Sequence, residues 1–245
     1  MAHADIGRGE ASVELSVTHA DNSAVEAAYE RAFLTFDTLP DYEQREEHDR
    51  FGLTNPMSRA NRGFWRDFGK FVGAYVSTIE LRYCLTNRSA FALTGAKLEV
   101  TVAQADAKID LRLGTDLPSI PKPSYNPLDF TGRTFTEVMA RRESTMTVEN
   151  GGLRPICHIR LGNLLPGETA RAADTLAVRL RGPGRVTVTC RILASELSTP
   201  IEHQLEFGVT GAHSKLDLDG LQTFVKEPLA QSLLARVIAQ ANKAE

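Results

Sequence analysis

The sequence predicts a mainly β chain, a β-sandwich of roughly seven or more strands. Two observations carry that prediction. Short apolar/polar alternations recur along the 245 residues with turn residues between them, and a period of two is the mark of a half-buried strand. An aromatic-rich helical stretch at 61–75 leads directly into one of those alternations, so it reads as an insertion in a sandwich. It does not read as one layer of an alternating α/β fold.

Taken in order, residues 1–10 have no apolar periodicity and read as a lead-in. From Ala11 to His19, Val13, Leu15 and Val17 alternate with Ser12, Glu14, Ser16 and Thr18, a strand closed by the turn residues Ala20-Asp21-Asn22-Ser23. The stretch from Ala24 to Asp37 is ambiguous: Val25-Glu26-Ala27-Ala28-Tyr29 suits a helix, while Phe33, Thr35 and Phe36 suit a strand. The charged run from Asp41 to Arg50 suits a solvated loop or short exposed helix. In 61–75, Phe64, Trp65, Phe68, Phe71, Val72 and Tyr75 recur at helical spacing behind Asn61, a candidate cap. The aromatics, Trp65 and Phe68 foremost, are expected to plug one end or edge of the sandwich.

Alternation resumes after Val76. Ile79, Leu81, Tyr83 and Leu85 oppose Thr78, Glu80 and Arg82, and Asn87-Arg88-Ser89 turns the chain towards Leu98, Val100 and Val102. Pro118, Pro121, Pro123 and Pro127 make 114–136 an irregular crossover, because proline fixes φ and lacks the ladder donor. Strands follow at Met146–Val148, Pro155–Leu161, Thr175–Leu180, Arg185–Ala194 and Ile201–Val209. Leu164-Leu165-Pro166-Gly167-Glu168 and Gly182-Pro183-Gly184 supply turns. Pro228 opens a last helix over 228–241 with an aliphatic stripe of Leu229, Leu233, Leu234, Val237 and Ile238. The organisation is therefore a lead-in (1–10), a sandwich domain (11–213) and a helical tail (214–245).

Composition narrows the function. Hydrophobic residues at 42% and charged residues at 24% are those of an ordinary globular domain. A net charge of -3 argues against sequence-independent nucleic-acid binding. Arg141-Arg142 and the run Arg179, Arg181, Arg185, Arg191 could still form a local patch. Arg179 and Arg181 alternate with Val178 and Leu180, so the simplest reading is the wet face of a strand. Cys84, Cys157 and Cys190 are too sparse for a disulfide framework or a metal site, and are expected to be reduced core thiols in a cytoplasmic protein. No apolar run approaches the ~18–20 residues of a membrane span.

No group of residues amounts to an active site, and no metal or cofactor is implied. Cys157 and His158 are neighbours on one strand and point to opposite faces, so they cannot pair as thiolate and imidazole. Glu202 and His203 are separated in the same way. His19-Ala20-Asp21 and His48-Asp49 lack further ligands at metal spacing. Asp217, Asp219 and Gly220 lack the distal glutamate of a calcium loop, so capping suits them better. Gly162 and Gly167 have phosphate-loop spacing, but Glu168 stands where lysine is needed.

The succession of Leu39-Pro40-Asp41-Tyr42, Asn61-Arg62-Gly63-Phe64-Trp65, Leu85-Thr86-Asn87-Arg88-Ser89, Ile159 to Glu168 and Ser198-Thr199-Pro200 carries a resemblance over roughly 11–210. It resembles the C-terminal immunoglobulin-like β-sandwich region that follows Schlafen/Alba-type nucleic-acid-binding domains in bacterial proteins. The resemblance implies an immunoglobulin-like sandwich without catalytic residues. The upstream nucleic-acid-binding domain is not in this sequence, so nucleic acid is not an expected partner without an additional domain.

Two functions remain. One is a non-enzymatic accessory or interaction module that docks a protein partner, or another copy of itself, through a sandwich edge or the tail face of Leu229, Leu233 and Val237. The tail face is expected to be covered either by the sandwich or by another chain, the second preferred because the 61–75 helix already closes the sandwich. The alternative is a ligand-binding or hydrolytic domain with a pocket under 114–136, using Asp116, Tyr125 or Asp129.

Overall fold

The computed structural model describes residues 11–43, 59–105, 107–125, 145–151 and 154–235. The chain is a β-sandwich with a helical flank. Its first elements are β1 (Val13–Thr18), β2 (Ala28–Glu30), β3 (Phe33–Phe36), β4 (Arg59–Ala60) and α1 (Phe64–Val76). Then come β5 (Thr78–Asn87), β6 (Leu93–Gln104), β7 (Asp110–Leu113), β8 (Ser124–Tyr125), β9 (Met146–Glu149), β10 (Ile156–Leu164) and β11 (Thr169–Arg171). The last are β12 (Leu176–Arg179), β13 (Gly184–Leu193), β14 (Ile201–Thr210), β15 (His213–Leu216) and α2 (Leu218–Phe224), with a further helical stretch at 228–235.

A five-stranded sheet runs β1-β5-β12-β7 with β11 also on β5, and a six-stranded sheet runs β2-β14-β13-β6-β10-β9. Alternation decides which side chains meet between them. Ile79, Leu81, Tyr83 and Leu85 of β5, with Leu111, Leu176 and Val178, face Leu98, Val100, Val102, Val186, Val188, Cys190 and Ile192 in one buried core. Most strand pairs are antiparallel, but β14–β2 and β15–β3 are parallel. The ambiguous segment after Ala24 therefore resolves as two strands laid along 208–216. The close approach needs Gly211: its φ is +140°, and a Cβ there would land on the Arg31 carbonyl.

One end of the sandwich is fixed by Asn87, which is fully buried. Its Nδ2 donates to the carbonyls of Phe91 (2.8 Å) and Leu164 (3.0 Å), and its Oδ1 accepts from Ser89 N–H (2.9 Å). Its backbone pairs with the 165–168 turn, through Gly167 N–H to Asn87 O and Asn87 N–H to Glu168 O. Ser89 Oγ in turn binds both backbone groups of Ser12.

The helix departs from expectation in how it packs. Its buried residues include Phe71, Val72, Ala74 and Val76, while Trp65 and Phe68 are only half-buried. The reason is its attachment: Ser77 and Thr78 hydroxyls bind the carbonyls of Gly73 and Ala74, running α1 directly into β5. The C-terminal half of α1 is thus clamped, and it organises a second apolar cluster instead of plugging the first. Phe71, Val72 and Val76 join Ala32, Leu39, Leu221 and Phe224 there, with Ala230 and Leu234 of the tail helix. The tail is therefore covered in part by its own chain. The expected boundary at 213/214 falls at the first residue of β15, which pairs with β3. Among the described residues no helix is long and apolar enough to cross a membrane.

Candidate functional site

The second cluster has an apolar rim larger than its buried centre. Half-buried Leu34, Phe36, Trp65, Phe68, Tyr75, Ile120, Leu216, Leu218, Val225, Leu229 and Leu233 pack round it. Along α1 the rings form a chain. Phe64 meets Trp65 edge-on at 4.9 Å and stacks on Phe68 at 5.7 Å, and Phe71 meets Tyr75 at 4.9 Å. Tyr42 adds an edge contact to Phe64 at 5.1 Å. Asn61 places the start of this chain without being the formal cap. Its Oδ1 accepts from Gly63 N–H, its carbonyl accepts from Phe64 N–H, and its own N–H and Nδ2 hold the carbonyls of Pro123 and Lys122. Large apolar side chains left partly wet forfeit burial energy, so a group of them round one cluster is a feature that binding surfaces exploit.

A polar cluster lies on the outer face of the five-stranded sheet. Glu80 points outward from β5, in register with Ala177. Its Oε2 accepts from Thr175 Oγ1 at 3.0 Å. Asp174 accepts from Thr175 N–H (2.7 Å) and Thr115 Oγ1 (2.6 Å), so the carboxylates tie the 114–116 turn to the strand. Gly114 leaves room for the Thr175 hydroxyl, which a Cβ would strike. Burial pushes the Glu80 carboxyl up; Asp174 adds to this, while the Thr175 hydrogen bond, Arg82 and His19 oppose it. Burial, with Glu80 adding, pushes the Tyr75 hydroxyl up to about 12. Glu80 and Asp174 spend their hydrogen bonds on neighbouring threonines, Thr175 and Thr115, and these bonds tie the turn to the strand. The cluster is a clamp.

The other candidates separate. Cys157 is buried, and His158 faces outward between Glu99 (3.7 Å) and Glu149 (3.8 Å). Cys190 is buried and Cys84 half-buried, and all three thiols are free. His19 is a buried structural residue. Its Nδ1 faces the Glu80 carbonyl at 3.1 Å and so carries the proton, leaving Nε2 to accept from Tyr29 OH at 2.9 Å. Asp217 caps α2 by accepting from Gly220 N–H at 2.8 Å. Asp116 is exposed on a 3-10 turn and Tyr125 sits on β8, which pairs with β4. Asp129, His48-Asp49, Arg141-Arg142 and Val237 lie outside the described residues. Among the described residues no three His, Cys, Asp or Glu side chains are placed to hold a metal ion. Glu80 and Asp174 were not singled out from the sequence. The available signal was Glu80 as the acidic residue on the outward register of β5, between Thr78 and Arg82.

No family model matches this chain. No curated protein matches it either. Among solved structures it is similar in shape to AvmM, which catalyses macrocyclization in alchivemycin A biosynthesis, at 10% identity over 83% of this chain and 92% of that one, TM-score 0.33. It is similar to the CooA pilin subunit of enterotoxigenic Escherichia coli at 7% identity, covering 82% and 98%, TM-score 0.24. The collagen-binding domain of a Staphylococcus aureus adhesin matches at 10% identity, covering 53% and 87%, TM-score 0.25. Likenesses of this size carry no argument about function.

Proposed function

We propose that the chain is a non-enzymatic interaction module that docks a protein partner, here a second copy of itself, through the face made by α1 and the tail helix. The observation that supports this is the apolar rim, in which half-buried Leu229 and Leu233 pack on the same cluster as half-buried Trp65 and Phe68, with Ala230 and Leu234 in its buried centre. The resemblance to an accessory sandwich supports the same reading. Strand addition is the weaker route: β2, β7 and β9 are edge strands of only three or four residues, and short edges are poor templates. The six-residue edge β1 carries Glu14, paired to Arg88, and charge on an edge blunts it further.

Light scattering coupled to size exclusion tests the proposal. The native chain is expected to run above monomer mass, and Leu233→Asp to give a folded monomer. Leu165→Asp, at an exposed turn position (62% exposed) away from this face, should leave the mass unchanged. A native chain that stays monomeric across the accessible concentrations defeats self-docking. So does an oligomer indifferent to Leu233→Asp.

A further inference from the structure

The outer face of the five-stranded sheet also carries guanidinium groups that its carboxylates do not balance. Arg179 on β12 stands in register with Thr78 on one side and Asp110 on the other. Arg112 lies two residues along β7 from Asp110, so period-two geometry sends Arg112 and Arg179 to the same outer face, and Arg181 follows in the bend just past the end of β12. Asp110 is committed to Arg112, with Oδ2 at 3.0 Å from Nε. Arg179 Nε is sealed from solvent and has no hydrogen-bond partner. Arg181 is exposed, and no described carboxylate pairs with it. The two later arginines of the same run differ. Arg185 faces Glu206 at 3.6 Å, and Arg191 is held by Glu99 at 3.1 Å and Glu202 at 3.2 Å.

Three guanidinium groups gather beside one carboxylate, Asp110, while Glu80 and Asp174 on the same face are hydrogen-bonded to Thr175 and Thr115. Burial first, then Arg181 and Arg112, press against the charged form of Arg179, with Asp110 alone relieving it. We propose that Arg112, Arg179 and Arg181 form a binding site for a phosphate-type oxyanion, as inorganic phosphate or a phosphomonoester. Such a group carries close to two negative charges near neutral pH and several acceptor oxygens. Guanidinium forks donate to these in parallel pairs that a halide cannot use. Asp110 would hold Arg112 in place, and exposed Arg112 and Arg181 flank the half-buried Arg179. This site is independent of the docking face.

Calorimetric titration of the full chain with inorganic phosphate, against chloride at matched ionic strength, tests it. A parallel titration with phosphoserine separates a free ion from a phosphomonoester. Saturable single-site binding is expected in the native chain and in Arg185→Gln, weakened at least tenfold in Arg179→Gln and Arg181→Gln. Arg181 is exposed, so its variant keeps the test decisive if Arg179→Gln fails to fold. Absence of saturable binding in the native chain overturns the proposal, as does an unchanged titration in Arg181→Gln.

Discussion

Asn87→Ala removes three hydrogen bonds from a position with no solvent access. The Leu164 carbonyl and the Ser89 N–H lose their Asn87 side-chain partner in buried surroundings, whereas the Phe91 carbonyl belongs to a half-buried residue that water can reach. A buried polar group left unpaired costs about 1–3 kcal/mol. Two of them give about 2–6 kcal/mol, and the rehydrated third adds little. For a chain of this size each kcal/mol moves Tm by about 2–4 °C, so a central loss near 4 kcal/mol lowers Tm by about 8–16 °C. Urea unfolding should show the loss as a lower midpoint with an unchanged slope. Asn87→Asp separates hydrogen bonding from packing. It keeps the acceptor for Ser89 N–H but turns an oxygen on the Phe91 and Leu164 carbonyls. That environment raises the folded-state pKa of the new carboxyl, so its deficit should shrink as pH falls and the acid becomes a donor. A loss below about 1 kcal/mol for the Ala variant, or an Asp variant whose deficit ignores pH, would refute the reasoning.

Tyr83→Phe should be neutral or stabilising by about 1 kcal/mol, because the Tyr83 hydroxyl is buried without a partner; a clear loss in chemical denaturation would mean that the hydroxyl is satisfied. Burial pushes the thiols of Cys157 and Cys190 up to about 12, so a maleimide should modify native protein first at half-buried Cys84, and mass spectrometry finding equal labelling at all three would contradict this. Glu80 has a folded-state pKa raised above the ordinary 4.5, so the folded state holds its proton more tightly than the unfolded state. Stability from that site is complete below 4.5 and is lost as pH rises through the raised value. Glu80→Gln should therefore gain on the parent as pH climbs from acid to neutral, and a pH-independent difference would count against the clamp.

How much of this was legible in the sequence depends on the range of the contact that decides each element. Val13–Val17, Ile79–Leu85 and Val186–Ile192 alternate so cleanly that local pattern alone assigns strand and inward face, and all three face the main core. Residues 28–36 could not be assigned locally. Their strand state comes from pairing with a segment some 180 positions later, at register pairs such as Val209 with Tyr29 and His213 with Phe33. That contact requires Gly211, whose role shows only when Arg31 is placed beside it. The same holds for β11, three residues paired to β5 through Thr169, Ala170 and Arg171.

The two candidate surfaces show the limit from the functional side. Helical spacing correctly put Phe64, Trp65, Phe68, Phe71 and Tyr75 along one helix, but not which of them would be buried. The clamp of Ser77 and Thr78 onto the last turn of α1 decides that, burying Phe71 and leaving Trp65 and Phe68 on the rim. The arginine run is the sharper case. Arg179, Arg181, Arg185 and Arg191 follow one another along the sequence with nothing local to tell them apart. Neutralisation separates them, and it comes from strands that pairing brings alongside: Glu206 and Glu202 from β14, and Glu99 from β6. Beside β12, strand β7 offers Asp110 and Arg112 together, so that carboxylate is already taken, and Glu80 of β5 is bonded to Thr175. Charge pattern along a chain counts arginines, but strand register determines which of them remain without a counter-ion, and a charged ligand would respond to that register.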